Sequence, residues 1–187
     1  MANTTGKKIK DAAIIGGCAS LIYLTIGDIS YRLSLSRGGL NSKLITDMVA
    51  KSAAKPKNEY KEKLDSMIDD GADWFMHQDT EKIIIEKKHR QSLYADLIRP
   101  DKPSNVYIIC IHGYTSSPAN MGIYAKKYHE LGYNVLLPSL RGHGDSEQDF
   151  ITMGWNDRLD VIEWINYIAE RHPESKIILH GVSMGAA

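Results

Sequence analysis

The stretch Gly181-Val182-Ser183-Met184-Gly185 constrains this chain more than any other. Three fixed residues in a G-x-S-x-G pattern arise by chance in roughly one chain in twenty of this length. The pattern alone is therefore weak, and its position is what gives it weight. It follows a short apolar run, Ile177-Ile178-Leu179, that reads as a buried strand, and Gly185-Ala186-Ala187 reads as the opening of a helix. A strand that turns sharply into a helix over a serine lifts that hydroxyl out at the C-terminal edge of a sheet. Glycines at 181 and 185 suit the tight turn and the close approach of neighbouring backbone. The competing reading is a plain glycine-rich turn with a satisfied serine.

The residues upstream supply the sheet. Lys82 to Glu86 and Leu93 to Ile98 read as two strands, paired with each other. Val106 to Ile111 is a continuous apolar run rich in β-branched residues, the pattern of a strand buried on both faces. Ile123 to Leu131 follows as a helix, and Asn134 to Leu137 as a short buried strand. Trp155 to Arg171 reads as a long amphipathic helix with Leu159, Ile162, Ile165 and Ile168 along one side, ended by Pro173. Lys176 to Leu179 is the next strand. Two strands followed by strand–helix repeats predict an α/β fold with a mostly parallel sheet flanked by helices.

Two further loops stand at strand ends. His112-Gly113-Tyr114 comes directly after the strand at 106–111. An oxyanion hole needs backbone N–H donors aimed at a developing alkoxide. The residue after the serine, Met184, offers one, and Tyr114 is the candidate for the other, through its backbone N–H. His112 has two readings, a catalytic base or a residue packed under the loop that orders it; the second is adopted. Arg141-Gly142-His143-Gly144-Asp145-Ser146 follows the strand at 134–137 and alternates glycine with polar residues. It lacks the G-x-x-x-x-G-K-[ST] spacing of a phosphate loop, so it reads as a buttress of the same face, with His143 structural.

The N-terminal third is different. Lys7, Lys8 and Lys10 precede 16 uncharged residues from Ala12 to Gly27, closed by Asp28 and extended in apolar character by Ile29 and Tyr31. About 20 apolar residues span a bilayer core. Three readings stay open: an uncleaved single-pass anchor over 1–33, a cleaved signal peptide, and a buried or interfacial helix. The anchor is adopted, with the body outside the cell. Ile15-Gly16-Gly17-Cys18 resembles a lipoprotein cleavage box, but the apolar run continues past Cys18, the wrong order for cleavage. Residues 34–71 read as a helical spacer. Leu44 to Val49 and Tyr60 to Ile68 form two short amphipathic helices separated by Pro56.

Composition removes several function classes. Lys plus Arg equals Asp plus Glu, 23 each, which leaves no electrostatic footprint for nucleic acid. Two cysteines, Cys18 and Cys110, make neither a metal-ligand spacing nor a disulfide framework. Acyl transfer through a serine needs no organic cofactor or metal, and none is expected.

Taken together, His112-Gly113-Tyr114-Thr115, Arg141-Gly142-His143-Gly144-Asp145-Ser146 and Gly181-Val182-Ser183-Met184-Gly185 resemble the α/β-hydrolase superfamily. The resemblance is to its serine aminopeptidase, monoacylglycerol lipase and esterase-like group. It covers about three-fifths of the chain, 72–187. The apolar N-terminus, the spacer and the Trp74-Phe75 pair resemble membrane-tethered members.

The resemblance implies that Ser183 is the nucleophile and that the backbones of Tyr114 and Met184 form the oxyanion hole. It implies a small-molecule acyl substrate, with esters, monoacylglycerols, thioesters and peptides all open. The family order is serine, then acid, then histidine. All seven histidines and every Asp and Glu precede Ser183, four residues before the last position. The expectation is therefore an incomplete fold, truncated after the elbow and inactive alone, because serine, base and acid act as a unit. Two alternatives stand beside it. A C-terminal fragment supplying the acid and histidine would restore the enzyme. A non-catalytic, membrane-anchored binding or scaffold module would tolerate Ser183→Ala.

Overall fold

The structure, a computed structural model, describes residues 2–37, 59–86 and 91–187. Among these residues, five strands form one sheet: β1 (Glu81–Ile85), β2 (Leu93–Ile98), β3 (Val106–Ile111), β4 (Asn134–Pro138) and β5 (Lys176–Gly181). Their order across the sheet is β1-β2-β4-β3-β5. β3 pairs in parallel with β4 and with β5, whereas β1–β2 and β2–β4 are antiparallel. The sheet is thus mixed, which corrects the expectation of a mostly parallel one. Connection length explains the difference. Only residues 86–92 join β1 to β2, and only 99–105 join β2 to β3. A parallel crossover needs a dozen or more residues, so each of these connections reverses the chain. β4 runs with β3, and β2 therefore opposes β4.

Among the described residues, four α-helices accompany the strands: α1 (Ala2–Leu35), α2 (Glu59–Met76), α3 (Gly122–Glu130) and α4 (Asp157–Arg171). The period-2 alternation of β3 divides its apolar run between two cores. Tyr107, Ile109 and Ile111 face one side with Leu136, Met184, Trp164 and Ile168. Ile108 and Cys110 face the other with Val135, Leu137, Phe75, Met121 and Ala125. Ile108 and Ile109 are fully buried. This two-sided burial is why the β3 sequence is apolar without interruption.

α4 covers the first face with Val161, Trp164, Ile165 and Ile168, spaced i, i+3, i+4, i+7. The predicted side was partly wrong: Leu159 and Ile162 are 45% and 51% exposed, and the bulky Trp164 takes the central place. α2 covers the second face. It runs unbroken from the spacer through Trp74 and Phe75 and meets α3 at a glycine pair. A Cβ on Gly122 would stand 2.0 Å from the Gly71 carbonyl oxygen, and one on Gly71 2.3 Å from the Ile123 nitrogen. Both obstacles are backbone and cannot swing aside. Gly122→Ala is expected to destabilise the fold by about 2–3 kcal/mol, the scale of overpacking. A lowered urea midpoint at unchanged m-value would report it, and an unchanged midpoint would show that the two helices separate freely.

The predicted helix around Leu44 to Val49 lies outside the described residues. α1 is one helix of 34 residues. The single-pass anchor is not shown: among the described residues, no helix is long and apolar enough to cross a membrane. Leu21, Ile22, Leu24 and Ile26 are each more than half exposed. Polar side chains of the C-terminal half of α1 bond within the helix. Ser20 and Thr25 donate to the carbonyls of Gly16 and Leu21, and Asp28 pairs with Arg32 at 2.8 Å.

Candidate active site

β5 delivers the chain to the site. It ends at Gly181, Val182 is extended, and Ser183 adopts φ of 53° at the start of a short 3₁₀ turn, Ser183–Ala186. Left-handed backbone costs a non-glycine residue about 1–2 kcal/mol, so the surrounding packing must enforce it. The two glycines of the turn show how. A Cβ on Gly181 would lie 2.1 Å from the Gly185 carbonyl oxygen. A Cβ on Gly185 would lie 2.3 Å from the Ile111 carbonyl oxygen and 2.6 Å from that of His112. The Val182 N–H also donates to the Ile111 carbonyl at 3.0 Å. The turn is thus pressed against the end of β3, with Met184 buried in the core and Ser183 exposed.

The loop after β3 stands beside it. A Cβ on Gly113 would lie 3.3 Å from the Ser183 Cβ, so only a glycine fits there without displacement. Tyr114 follows, half-buried, and Thr115 has φ of 56°. The amides that follow the two candidate donors are engaged: Thr115 N–H with His143 Nε2 at 3.1 Å, and Gly185 N–H with the Val182 carbonyl at 2.9 Å. The structure therefore brings Ser183, Gly113, Tyr114 and Met184 to one place.

His112 and His143 are set behind that place. His112 is fully buried; its Nε2 accepts from the Leu140 N–H at 3.2 Å, so its Nδ1 carries the proton and donates to the Gly113 carbonyl at 2.9 Å. His143 repeats the arrangement, with Nε2 accepting from Thr115 and Nδ1 donating to the Arg141 carbonyl at 2.9 Å. The rings meet edge to face, 4.9 Å apart. Burial lowers both pKa values, that of His112 to about 4. Both rings are neutral at pH 7 and hold backbone with both nitrogens, which leaves neither free to take a proton from Ser183.

This makes a pH prediction. The folded pKa of His112 lies below the 6.5 of free imidazole, so its contribution to stability is complete above about pH 6.5. It declines as pH falls from there through about 4, by a total on the order of 3 kcal/mol. Denaturant midpoints measured across that window should drop for the wild type and drop less for His112→Asn. Equal slopes would remove His112 from the explanation.

The glycine-rich loop is fastened to α4. The Arg141 guanidinium binds Asp160 through two hydrogen bonds, 2.7 and 2.8 Å, in a bidentate pair. Its backbone N–H donates to the buried Asp157 at 3.0 Å, and Asp157 also accepts from Thr152 and Gly154. Gly142 and Gly144 have φ of 73° and 51°, and a Cβ on Gly144 would strike Ser139 Oγ at 2.4 Å. Asp157, Asp160 and Met153 (φ of 50°) escaped sequence reasoning. The acidic first turn of α4 was a visible signal for the two aspartates, since carboxylates favour helix N-termini, but it named no partner.

Cys110 is buried and unpaired, with its thiol pKa pushed up to about 12, so it offers no nucleophile. Among the described residues, no group of three or more His, Cys, Asp or Glu is arranged to hold a metal. A concavity of about 470 Å³ bounded by Gln78, Leu97, Arg99 and His129 does not include Ser183.

Comparison with known proteins follows this geometry. Residues 102–187 match the family model described as serine aminopeptidase, S33. The chain is 32% identical over 85 residues to a thermostable monoacylglycerol lipase of Bacillus sp. (strain H-257), covering 43% of this chain and 32% of that one. It is 29% identical over 113 residues to the uncharacterized protein YqkD of Bacillus subtilis (strain 168), covering 60% and 37%. The chain thus spans about a third of the length of these curated relatives. Among solved structures, it superposes on the Pyrococcus furiosus esterase Pf2001 with a TM-score of 0.53 at 30% identity, covering 60% of this chain and 44% of the esterase. The fold is α/β-hydrolase-like, a mixed sheet flanked by helices.

Proposed function

We propose that this chain carries the nucleophile and the oxyanion hole of a serine hydrolase acting on carboxylic esters. The observation that carries the reading is Ser183 itself: exposed, held at φ of 53° beyond the end of β5, and packed against Gly113. The likeness to a lipase and an esterase supports the substrate class.

In this reading the Ser183 hydroxyl oxygen attacks the ester carbonyl carbon. The carbonyl π electrons move onto oxygen, and the N–H groups of Tyr114 and Met184 receive the charge. Such donors are fixed by backbone and need no reorganisation as charge develops. Collapse of the intermediate expels the alcohol and leaves an acyl-serine that water later cleaves. The serine proton requires a base, and both nearby histidines are occupied with backbone. A segment bearing a histidine and a carboxylate therefore belongs to the proposal. It would pack along β5, which among the described residues pairs only with β3 and leaves Ile178 and Leu179 about half exposed. The proposal also places the body beside a lipid surface, held by the exposed apolar side chains of α1.

The test is covalent. A fluorophosphonate probe added to the protein as its source cell makes it should form one adduct, mapped by mass spectrometry to the peptide containing Ser183. Ser183→Ala should abolish it. An unlabelled Ser183, in protein that carries its histidine and acid, would favour the non-catalytic binding module.

A further inference from the structure

The end of α1 reaches the two loops beside Ser183, more than 70 positions away in sequence. Its last turn and the two residues after it make hydrogen bonds to both. The Ile151 N–H donates to the Leu35 carbonyl at 2.7 Å, and the Arg37 N–H donates to the Asp149 carbonyl at 2.6 Å. Ser36 and Phe150 form an antiparallel bridge between them. The Arg37 guanidinium donates to the carbonyls of Ser146 and of Gly144, the latter at 2.5 Å. The Tyr114 hydroxyl donates to the Ser34 carbonyl. Tyr31 stacks obliquely on Phe150, with ring centroids 5.6 Å apart.

We propose that residues 31–37 form a strap that positions the two loops beside Ser183, with Arg37 and the Ser34 carbonyl as its fastening points. The connectivity supports this. One end of the strap holds the side chain of Tyr114, whose amide is the candidate oxyanion donor. The other holds two carbonyls that follow His143, those of Gly144 and Ser146. His143 in turn accepts from the Thr115 N–H, so the two loops and the strap close into a ring. The planar fork of a guanidinium suits two carbonyls of one loop better than a single ammonium does. The loop needs such a clamp, because Gly142 and Gly144 give its backbone more freedom than other residues would. Misplacing a catalytic donor by about 1 Å costs about a hundredfold in rate, so Arg37 and Ser34 act on the chemistry through Tyr114 as positioning residues. That bearing on acyl transfer rests on the serine-hydrolase reading above; the strap's hold on the loops does not.

Hydrogen exchange followed by mass spectrometry on the full chain tests the hold. Arg37→Ala should raise exchange of amides in 142–151 and 113–116 by about tenfold or more, with β3 and β4 unchanged. Arg37→Lys should recover part of the protection. Tyr114→Phe should loosen 113–116 alone, and it guards against a general unfolding of the alanine variant. Unchanged loops in both Arg37→Ala and Tyr114→Phe would overturn the strap. The second readout is acylation of Ser183 by a p-nitrophenyl ester. The rate at saturation should fall about tenfold in Arg37→Ala while KM holds, with partial rescue by lysine. Loosened loops with an unchanged acylation rate would overturn the positioning role. A wild-type protein that carries its histidine and acid yet is unreactive at Ser183 counts against the hydrolase reading instead, and the exchange comparison then decides on the strap.

Discussion

Replacing Ser183 with glycine is expected to remove ester cleavage and, in the same variant, to stabilise the fold. The loss in kcat should be about 10⁴-fold or more, since serine, base and acid act as a unit and the remaining donors give only residual catalysis. The gain in stability follows from the backbone. Ser183 sits at φ of 53°, where a side chain costs about 1–2 kcal/mol and glycine costs nothing. Glycine loses about 0.5–1 kcal/mol through the greater freedom of the unfolded chain, so a net gain of about 0.5–1 kcal/mol remains. Ser183→Ala separates the two effects, because alanine removes the hydroxyl and keeps the strained conformation. It should be as inactive as the glycine variant and close to wild type in stability. Thermal denaturation of the three proteins decides the matter. A glycine variant less stable than the alanine one would show that the turn is not strained. Stored strain of this kind is what a nucleophile held clear of its own helix requires.

The elements of the body were legible in the sequence because burial leaves a local trace. β3 matches its predicted bounds, since an uninterrupted apolar run between Asn105 and His112 has one economical reading as a strand buried twice. Strand direction left no such trace, and only the lengths of the connections at 86–92 and 99–105 carried it. The face of α4 was half legible. Periodicity allowed Leu159 and Ile162 as readily as Val161 and Trp164, and the volume of the indole decided between them. At the site, the glycines announced tight turns, but the partners of the loops did not announce themselves. Asp157 and Arg37 act through hydrogen bonds to distant backbone, and the Thr115 amide through one to the His143 side chain. Such bonds need no residue pattern at either end, because any backbone carbonyl or amide can be the partner. The docking of α1 was hidden for the same reason. Its last turn reads as helix whether or not Phe150 lies beside Tyr31.

Gly185→Ala should be among the most damaging single changes in the body of the protein. One added methyl group would stand 2.3 Å from the Ile111 carbonyl oxygen, 2.6 Å from that of His112 and 2.8 Å from the Ile111 carbonyl carbon. All three atoms are backbone, at the end of β3 or just after it; β3 is hydrogen-bonded on both sides, and Ile111 and His112 are buried. No rotamer change relieves the contact, so either the turn lifts off β3 or the end of β3 bends. Lifting the turn breaks the Val182 N–H bond to the Ile111 carbonyl and draws Met184 from the core. Bending β3 disturbs His112, which holds both Gly113 and Leu140. Either route is expected to cost about 4 kcal/mol or more, beyond the ordinary range for a point substitution. Domains of this size are stable by only about 5–15 kcal/mol, so the variant should be largely unfolded at physiological temperature. Gly154→Ala is the informative companion. Unlike Gly185 it has a positive φ, 86°, but its nearest obstacle is 3.5 Å away, so it should suffer only the backbone penalty of about 1–2 kcal/mol. Urea denaturation of both variants separates crowding from conformation. Equal losses would show that the contact with β3 yields at little cost. A much larger loss at 185 would show that the turn is held in place by contact with β3, which is the condition for keeping Ser183 beside Gly113.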